Sequence, residues 1–264
     1  MQMRIKSLIS SFLGHLLFRS DLHVLCLRDI VPVLTFHRIS EPSPVDSMTY
    51  SPKDFNALCT FLSCNFQVKP LSLLLKKLVN RGTFHQELAI TFDDGYQDNH
   101  DLAAPILKAL NLPATFFITT EYIGKDIVPW WDEEEGVRHK WMSWDQVRAL
   151  HRQGFEIGSH TRSHADLGKV REELALKELV DSRIELERQL SAPVTLFAYP
   201  YGGIGNINER MRELVKAAGY SCCCSCFGGL NKRGTDPFHL RRIPISYWYQ
   251  SPQDFGFRLA MRRV

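Results

Sequence analysis

The sequence predicts a single α/β domain, a closed or nearly closed barrel of βα units. Three observations carry this. The chain has 264 residues, 44% hydrophobic and 23% charged, enough for one large core. From Val31 onward, short apolar runs alternate with helical patterns, as expected for a parallel sheet covered by helices. No low-complexity linker, internal repeat or composition break divides the chain.

The first 30 residues precede that alternation. Arg4 and Lys6 followed by the apolar stretch Leu8 to Leu17 suggest a signal peptide. Ser10, Ser11 and His15 interrupt the run, however, no small-x-small cleavage site follows, and a span needs about 18 unbroken apolar residues. An amphipathic helix fits better. Ile5, Leu8, Ile9, Phe12, Leu13, Leu16 and Leu17 share one side, with Arg4, Lys6 and Arg19 available to anionic lipid. Residues 1–19 either rest on a membrane surface or pack onto the domain formed by residues 31–264.

Seven strands are expected in the domain: Val31 to Phe36, Leu88 to Phe92, Ala114 to Thr119, Phe155 to Gly158, Thr195 to Ala198, Tyr220 to Cys226 and His239 to Ile245. Between them the spacing predicts helices over Pro52 to Ser63, Leu71 to Val79, Asp101 to Leu110, Ser143 to Gln153, Glu172 to Leu190 and Asn208 to Ala218. Lys125 to Lys140, with Trp130, Trp131 and an acidic run, reads as a long rim loop. A formal charge of +3, without a basic run or an aromatic-interleaved basic stripe, argues against nucleic acid. The seven cysteines, four crowded into positions 222–226, make a poor disulfide framework and read as buried small hydrophobes. They favour a reducing compartment, so the expected location is cytoplasmic, at the inner membrane surface, with export as the alternative.

The chemistry-bearing residues each follow a predicted strand, and in a parallel barrel such loops share one face. Leu88-Ala-Ile-Thr-Phe-Asp-Asp-Gly-Tyr96 delivers Asp93 and Asp94 side by side, where like charges need a cation or a shared proton. His160-Thr-Arg-Ser-His164 places two imidazoles four apart, suited to zinc and its neighbours, without the Glu of a metalloprotease motif. Ala198-Tyr-Pro-Tyr-Gly-Gly203 ends a strand in Pro200 and two glycines that let backbone approach a ligand.

Thr91-Phe-Asp-Asp-Gly95, Ser159-His-Thr-Arg-Ser-His164 and Phe197-Ala-Tyr-Pro-Tyr-Gly202, in this order, closely resemble the polysaccharide deacetylases of the NodB-homology type, carbohydrate esterase family 4. The resemblance spans roughly Val31 to Ile245. It implies a distorted (β/α)7 barrel, Asp93 as catalytic base, Asp94, His160 and His164 as metal ligands, and the Tyr201 N–H as oxyanion donor. It implies one divalent transition metal, zinc first, with cobalt, nickel or manganese as alternatives. Two positions depart from the family: Ala198 stands where many members have an Arg bracing the base, and the usual C-terminal Leu-x-His acid is missing. Thr35-Phe-His-Arg38 looks like the N-terminal element that supplies the acid in poly-N-acetylglucosamine deacetylases, which points to His37. Arg242 is a candidate for bracing Asp93. Trp130, Trp131, Trp144 and Tyr201, with Tyr199 and Pro200, are candidate contacts for sugar rings. The expected substrate is an N-acetylated glycan or lipid-linked precursor. The alternatives are a small non-sugar amide, or a relative that binds glycan or metal without catalysis.

Overall fold

A computed structural model describes residues 2–41, 48–249 and 251–264, with side chains from Ser7 onward. The roles expected of Arg4, Ile5 and Lys6 lie outside the described side chains. Four parallel strands, Val33–Phe36, Glu87–Phe92, Thr115–Ile118 and Glu156–Ser159, pair in that order. The ladder then continues through single bridges from Ser159 to Phe197, Ala198 to Cys224 and Cys224 to Leu240. Ile243–Pro244 pairs back onto Leu34–Thr35, and the ring closes.

Three expected strands are therefore shorter than the apolar runs suggested. Pairing from Phe197 stops after Tyr199, whose N–H donates to the Cys224 carbonyl at 3.0 Å. Pro200 has no N–H to extend the ladder, and Tyr201 and Gly202 turn the chain into the left-handed region at φ 61° and 57°. The run from His239 opens with a 3-10 turn, Pro237–His239, and contributes only Leu240 and Ile243–Pro244.

Strand alternation divides the core into two layers. Leu34, Phe36, Leu88, Ile90, Phe92, Phe116 and Ile118 face the helices, where Phe36, Phe92 and Phe116 stack at 5.4 and 4.8 Å between centroids. Val33, Ala89, Phe117, Leu196, Ala198 and Leu240 form the inner cluster. Cys222 and Cys224 belong to that inner cluster and Cys223 to an outer one, so the cysteine run is an alternating stave of free thiols. Along the second strand the inner row Ala89, Thr91 leads directly to Asp93.

The expected helices form, several with sequence-local caps. The Ser51 hydroxyl accepts from the Asp54 N–H ahead of Pro52–Asn65, and Ser143 with Gln146 makes a capping box ahead of Trp144–Arg152. The helix expected from Asp101 begins instead as a π turn, Asn99–Ala103, before Ala104–Ala109. The rim segment is not a plain loop. Trp130–Glu135 is helical, closed by Gly136 at φ 66°, with Asp132 and Glu133 in its first turn.

The residues following the first strand are clamped. Arg38, fully buried, donates to Asp132 at 2.5 Å, to Glu135 at 3.0 Å and to Thr49 Oγ1 at 3.1 Å, fastening the tandem-Trp helix to the rim. Asp98 accepts from the Ile39 N–H at 3.1 Å, and Asn99 Nδ2 donates to the His37 carbonyl at 2.7 Å. Arg38→Met would strand Asp132 in the interior and should cost ~3–5 kcal/mol in urea unfolding, with Arg38→Met/Asp132→Leu recovering more than half. A single-variant loss below about 1 kcal/mol would mean that the pair does not hold this helix. Burial pushes the Asp98 carboxyl up to about 6, above its unfolded value of roughly 4. Its stabilising contribution is thus present below pH ~4 and lost as pH rises through about 6. Asp98→Asn should gain stability relative to the parent protein as pH rises from about 4 to about 6; parallel pH profiles across that window would contradict this assignment.

Candidate active site

One cleft at the C-terminal face of the barrel, about 190 Å³, gathers His37, Asp93, Asp94, His160, His164, Trp130, Trp131, Tyr199 and Tyr201. This is smaller than the roughly 300–1,000 Å³ of ligand-enclosing pockets. His37 follows the first strand, Asp93 and Asp94 the second, His160 the fourth, and Tyr199 to Tyr201 the bridge segment beside it.

Asp93 is locked. Arg242, on the inner row of the closing segment, donates to both of its carboxylate oxygens, Nη1 to Oδ1 at 2.7 Å and Nη2 to Oδ2 at 2.6 Å. The guanidinium also donates to Thr91 Oγ1 and the Ser225 carbonyl and lies 5.4 Å from the Phe117 ring centre. Burial pushes the Asp93 carboxyl up, but Arg242, aided by His160 and His37, outweighs it and holds the group below the usual carboxylate range. His37 Nε2 stands 4.0 Å from Asp93 Oδ2, partly exposed to the cleft.

Asp94 faces the other way. Its Oδ1 is 3.3 Å from both His160 Nε2 and His164 Nε2, and the three ligand atoms lie within 4.8 Å of one another. Both Asp94 oxygens are buried without a hydrogen-bond partner among the described residues. A buried carboxylate in that state is costly unless a cation compensates it. Burial pushes its carboxyl up, and the two imidazoles more than offset this, holding it well below its ordinary value. The His160 Nδ1–H donates to the Ala198 carbonyl at 2.9 Å, which leaves the Nε2 lone pair directed at the cluster. Burial lowers the His164 pKa, favouring the neutral, ligating imidazole. Two imidazoles and a carboxylate with open positions suit a divalent transition metal. The half-buried Cys226 also lines the cleft but is not part of the cluster in which Asp94, His160 and His164 bring their ligand atoms within 4.8 Å of one another.

Backbone strain concentrates here. Asp94, Thr161, His164 and Tyr201 all sit at φ between 60° and 73°, where non-glycine residues are uncommon. Gly202 is required by packing as well as by its φ, since a Cβ there would stand 2.5 Å from the Cys226 nitrogen. The Tyr201 ring packs 4.9 Å from His164 and its hydroxyl accepts from Trp130 Nε1 at 3.2 Å. Trp131 donates to the Tyr96 hydroxyl at 2.9 Å and packs 4.6 Å from His164.

Two expected contacts belong elsewhere. Trp144 opens a helix and packs against the outer core, because its helix faces the sheet rather than the cleft. Pro200 is buried and shapes the turn by accepting from the Gly202 N–H at 2.6 Å. Met48 and Cys226 were not expected in the cleft. The two-residue spacing from Cys222 through Cys224 places Cys226 at the mouth of the same stave; nothing local marks Met48.

Known proteins resemble this chain in both sequence and fold. The sequence profile of the polysaccharide deacetylase family matches residues 80–223. YxkH of Bacillus subtilis (strain 168), which bears the name of a polysaccharide deacetylase, is 28% identical over 220 residues, 82% of this chain and 71% of that one. The poly-beta-1,6-N-acetyl-D-glucosamine N-deacetylase of Staphylococcus aureus is 26% identical over 166 residues, 60% of this chain and about half, 53%, of that enzyme. Among solved structures, deacetylase PplD of Streptococcus pyogenes, in complex with acetate, superimposes with a TM-score of 0.73 at 22% identity, covering 86% of this chain and 96% of that one. IcaB from Ammonifex degensii gives 0.73 at 22% identity over 87% and 97%. These two structures share the fold. With a family profile matching more than half its length on a closed parallel barrel, the chain belongs to the polysaccharide deacetylase family of hydrolases.

Proposed function

We propose that the protein hydrolyses the N-acetyl amide of an amino sugar, in a glycan or a lipid-linked glycan precursor, releasing acetate and the free amine. The carrying observation is the division of two adjacent carboxylates: Asp93 is claimed on both oxygens by Arg242, whereas Asp94 faces only two imidazoles. A divalent ion held by Asp94, His160 and His164, with zinc favoured by the donor set, supplies the Lewis acidity that polarises an acetamide carbonyl and eases deprotonation of water.

The remaining chemistry falls to the chain's own groups. Asp93, kept ionised and oriented by Arg242, takes the proton of the attacking water. The Tyr201 N–H donates to the oxygen that gains charge as the carbonyl carbon becomes tetrahedral, worth ~3 kcal/mol by comparison with other oxyanion donors. His37, whose Nε2 stands 4.0 Å from Asp93 Oδ2, gives a proton to the sugar nitrogen, so that the amine departs neutral. Trp130, more than half exposed, and Trp131 offer ring faces to the sugar beyond the amide. Residues 31–264 form the catalytic unit and residues 1–30 an appended segment.

Asp93→Asn should keep stoichiometric metal yet lose acetate release from chitooligosaccharides or another N-acetylhexosamine substrate by ~100-fold or more, while Asp94→Asn should lose metal. Elemental analysis and an acetate assay on both variants decide this, and the reverse pattern would show the roles assigned backwards. His37→Ala should slow amide hydrolysis far more than hydrolysis of an activated aryl acetate, whose leaving group needs no proton. Equal losses on both substrates would make His37 a positioning residue.

A further inference from the structure

The helix Gln2–Arg19 is built inside out. Helices of soluble domains bury their apolar stripe and expose polar residues. Here Ser7, Ser10, Ser11 and Gly14, with Phe18, face the domain, while Leu8, Ile9, Phe12, Leu13 and Leu16 are 70, 55, 63, 40 and 48% exposed. The inward face is a fitted joint to the helix Pro252–Ala260. The Ser10 hydroxyl donates to Asp254, Ser11 Oγ meets Ser251 Oγ at 2.7 Å, and a Cβ at Gly14 would stand 2.1 Å from the Gln253 carbonyl oxygen. Phe18 anchors the end of the helix, stacked 4.1 Å from His23 and edge-on to Phe61 at 4.8 Å. The helix therefore packs on the domain through its serines, Gly14, Leu17 and Phe18, which leaves Leu8, Ile9, Phe12, Leu13 and Leu16 exposed, as are Leu22 and Leu25 beyond its end.

Charge selects the occupant. Residues 2–29 and 251–264 carry seven Lys or Arg against three Asp, namely Asp21, Asp29 beside Arg28 and the buried Asp254, in a chain whose total charge is only +3. Arg258 and Arg263 line a groove with Ile9, Leu13 and Phe257. A second copy of the chain on this face would oppose positive to positive. No helix of the described residues is long and apolar enough to cross a membrane, so the stripe does not span. We propose that this face docks the protein on an anionic phospholipid surface, the helix lying in the plane with its leucines among the acyl chains and the arginines at the headgroups. The proposal rests on this face alone and stands or falls independently of the catalytic reading.

The test is flotation of the full chain with phosphatidylcholine vesicles, with and without 30% phosphatidylglycerol. The protein should float with the anionic vesicles only, and less as salt rises. Leu8→Ser/Phe12→Ser/Leu16→Ser changes only exposed side chains, so its unfolding temperature and acetate release should match the parent, while vesicle partition falls at least ~10-fold. Arg262→Glu/Arg263→Glu should weaken partition to the anionic vesicles. Failure of the parent protein to float, or equal flotation of the triple variant, would overturn the proposal. So would a dimer, seen by sedimentation, that the triple variant dissolves while neither protein binds vesicles.

Discussion

The two-pronged contact between Arg242 and Asp93 is the constraint on which the site depends. A guanidinium and a carboxylate both sit within the barrel, with 0 and 2% of their side chains exposed, where either charge alone would cost several kcal/mol. The pair is tolerable because the geometry is complete: two parallel hydrogen bonds, a third to Thr91, a fourth to the Ser225 carbonyl, and the face of Phe117. It also distinguishes the two neighbours: Asp93 is taken on both oxygens by a guanidinium, while both Asp94 oxygens are buried without a hydrogen-bond partner among the described residues. With its neighbour neutralised, Asp94 is the carboxylate whose charge needs an outside partner, and the imidazoles of His160 and His164 stand where such a partner would be shared.

That contact in turn requires barrel closure in one register. Arg242 reaches Asp93 because Ile243 pairs with Leu34, which keeps Leu240 and Arg242 on the inner row. A one-residue slip would turn Arg242 outward and leave Asp93 unpaired in the interior. The same inner row explains why the cysteine stave is made of small apolar groups, since Cys222 and Cys224 fill the space beneath the site. The strain at Asp94, Thr161, His164 and Tyr201 is confined to the loops above this rigid base.

The site was legible in the sequence where its residues are local. Asp93–Asp94 and His160–His164 stand next to strand ends, and a parallel barrel collects strand ends on one face. His37 was reachable by the same argument, and its ring does line the cleft. The alternation of strand and helix gave the closed barrel and its seven staves, and the resemblance to a family gave the roles of the residues at its mouth. Less legible was whatever depended on partners distant in sequence. Arg242 lies 149 residues from Asp93, and from the sequence alone an ordinary surface or rim Arg was the likelier explanation. The Arg38–Asp132 pair, 94 residues apart, turned an expected loop into a short helix. Trp144 misled because a tryptophan that opens a helix looks the same whether the helix turns toward the cleft or the core. The amphipathic pattern of the first helix was readable, but which face met the domain was not. That depended on Gly14, Ser10 and Ser11 fitting against one partner helix.

The central claim is that Asp94, His160 and His164 hold one divalent transition metal while Asp93, tied to Arg242, stays off it. X-ray absorption at the edge of zinc bound stoichiometrically to the full chain tests this most directly, because it counts ligand types independently of any substrate. The account predicts nitrogen and oxygen scatterers alone, at roughly 2.0–2.2 Å, with the outer-shell pattern of two imidazoles that disappears in the His160→Ala/His164→Ala protein. A sulfur scatterer near ~2.3 Å would place Cys226 on the metal instead of Asp94 and contradict it.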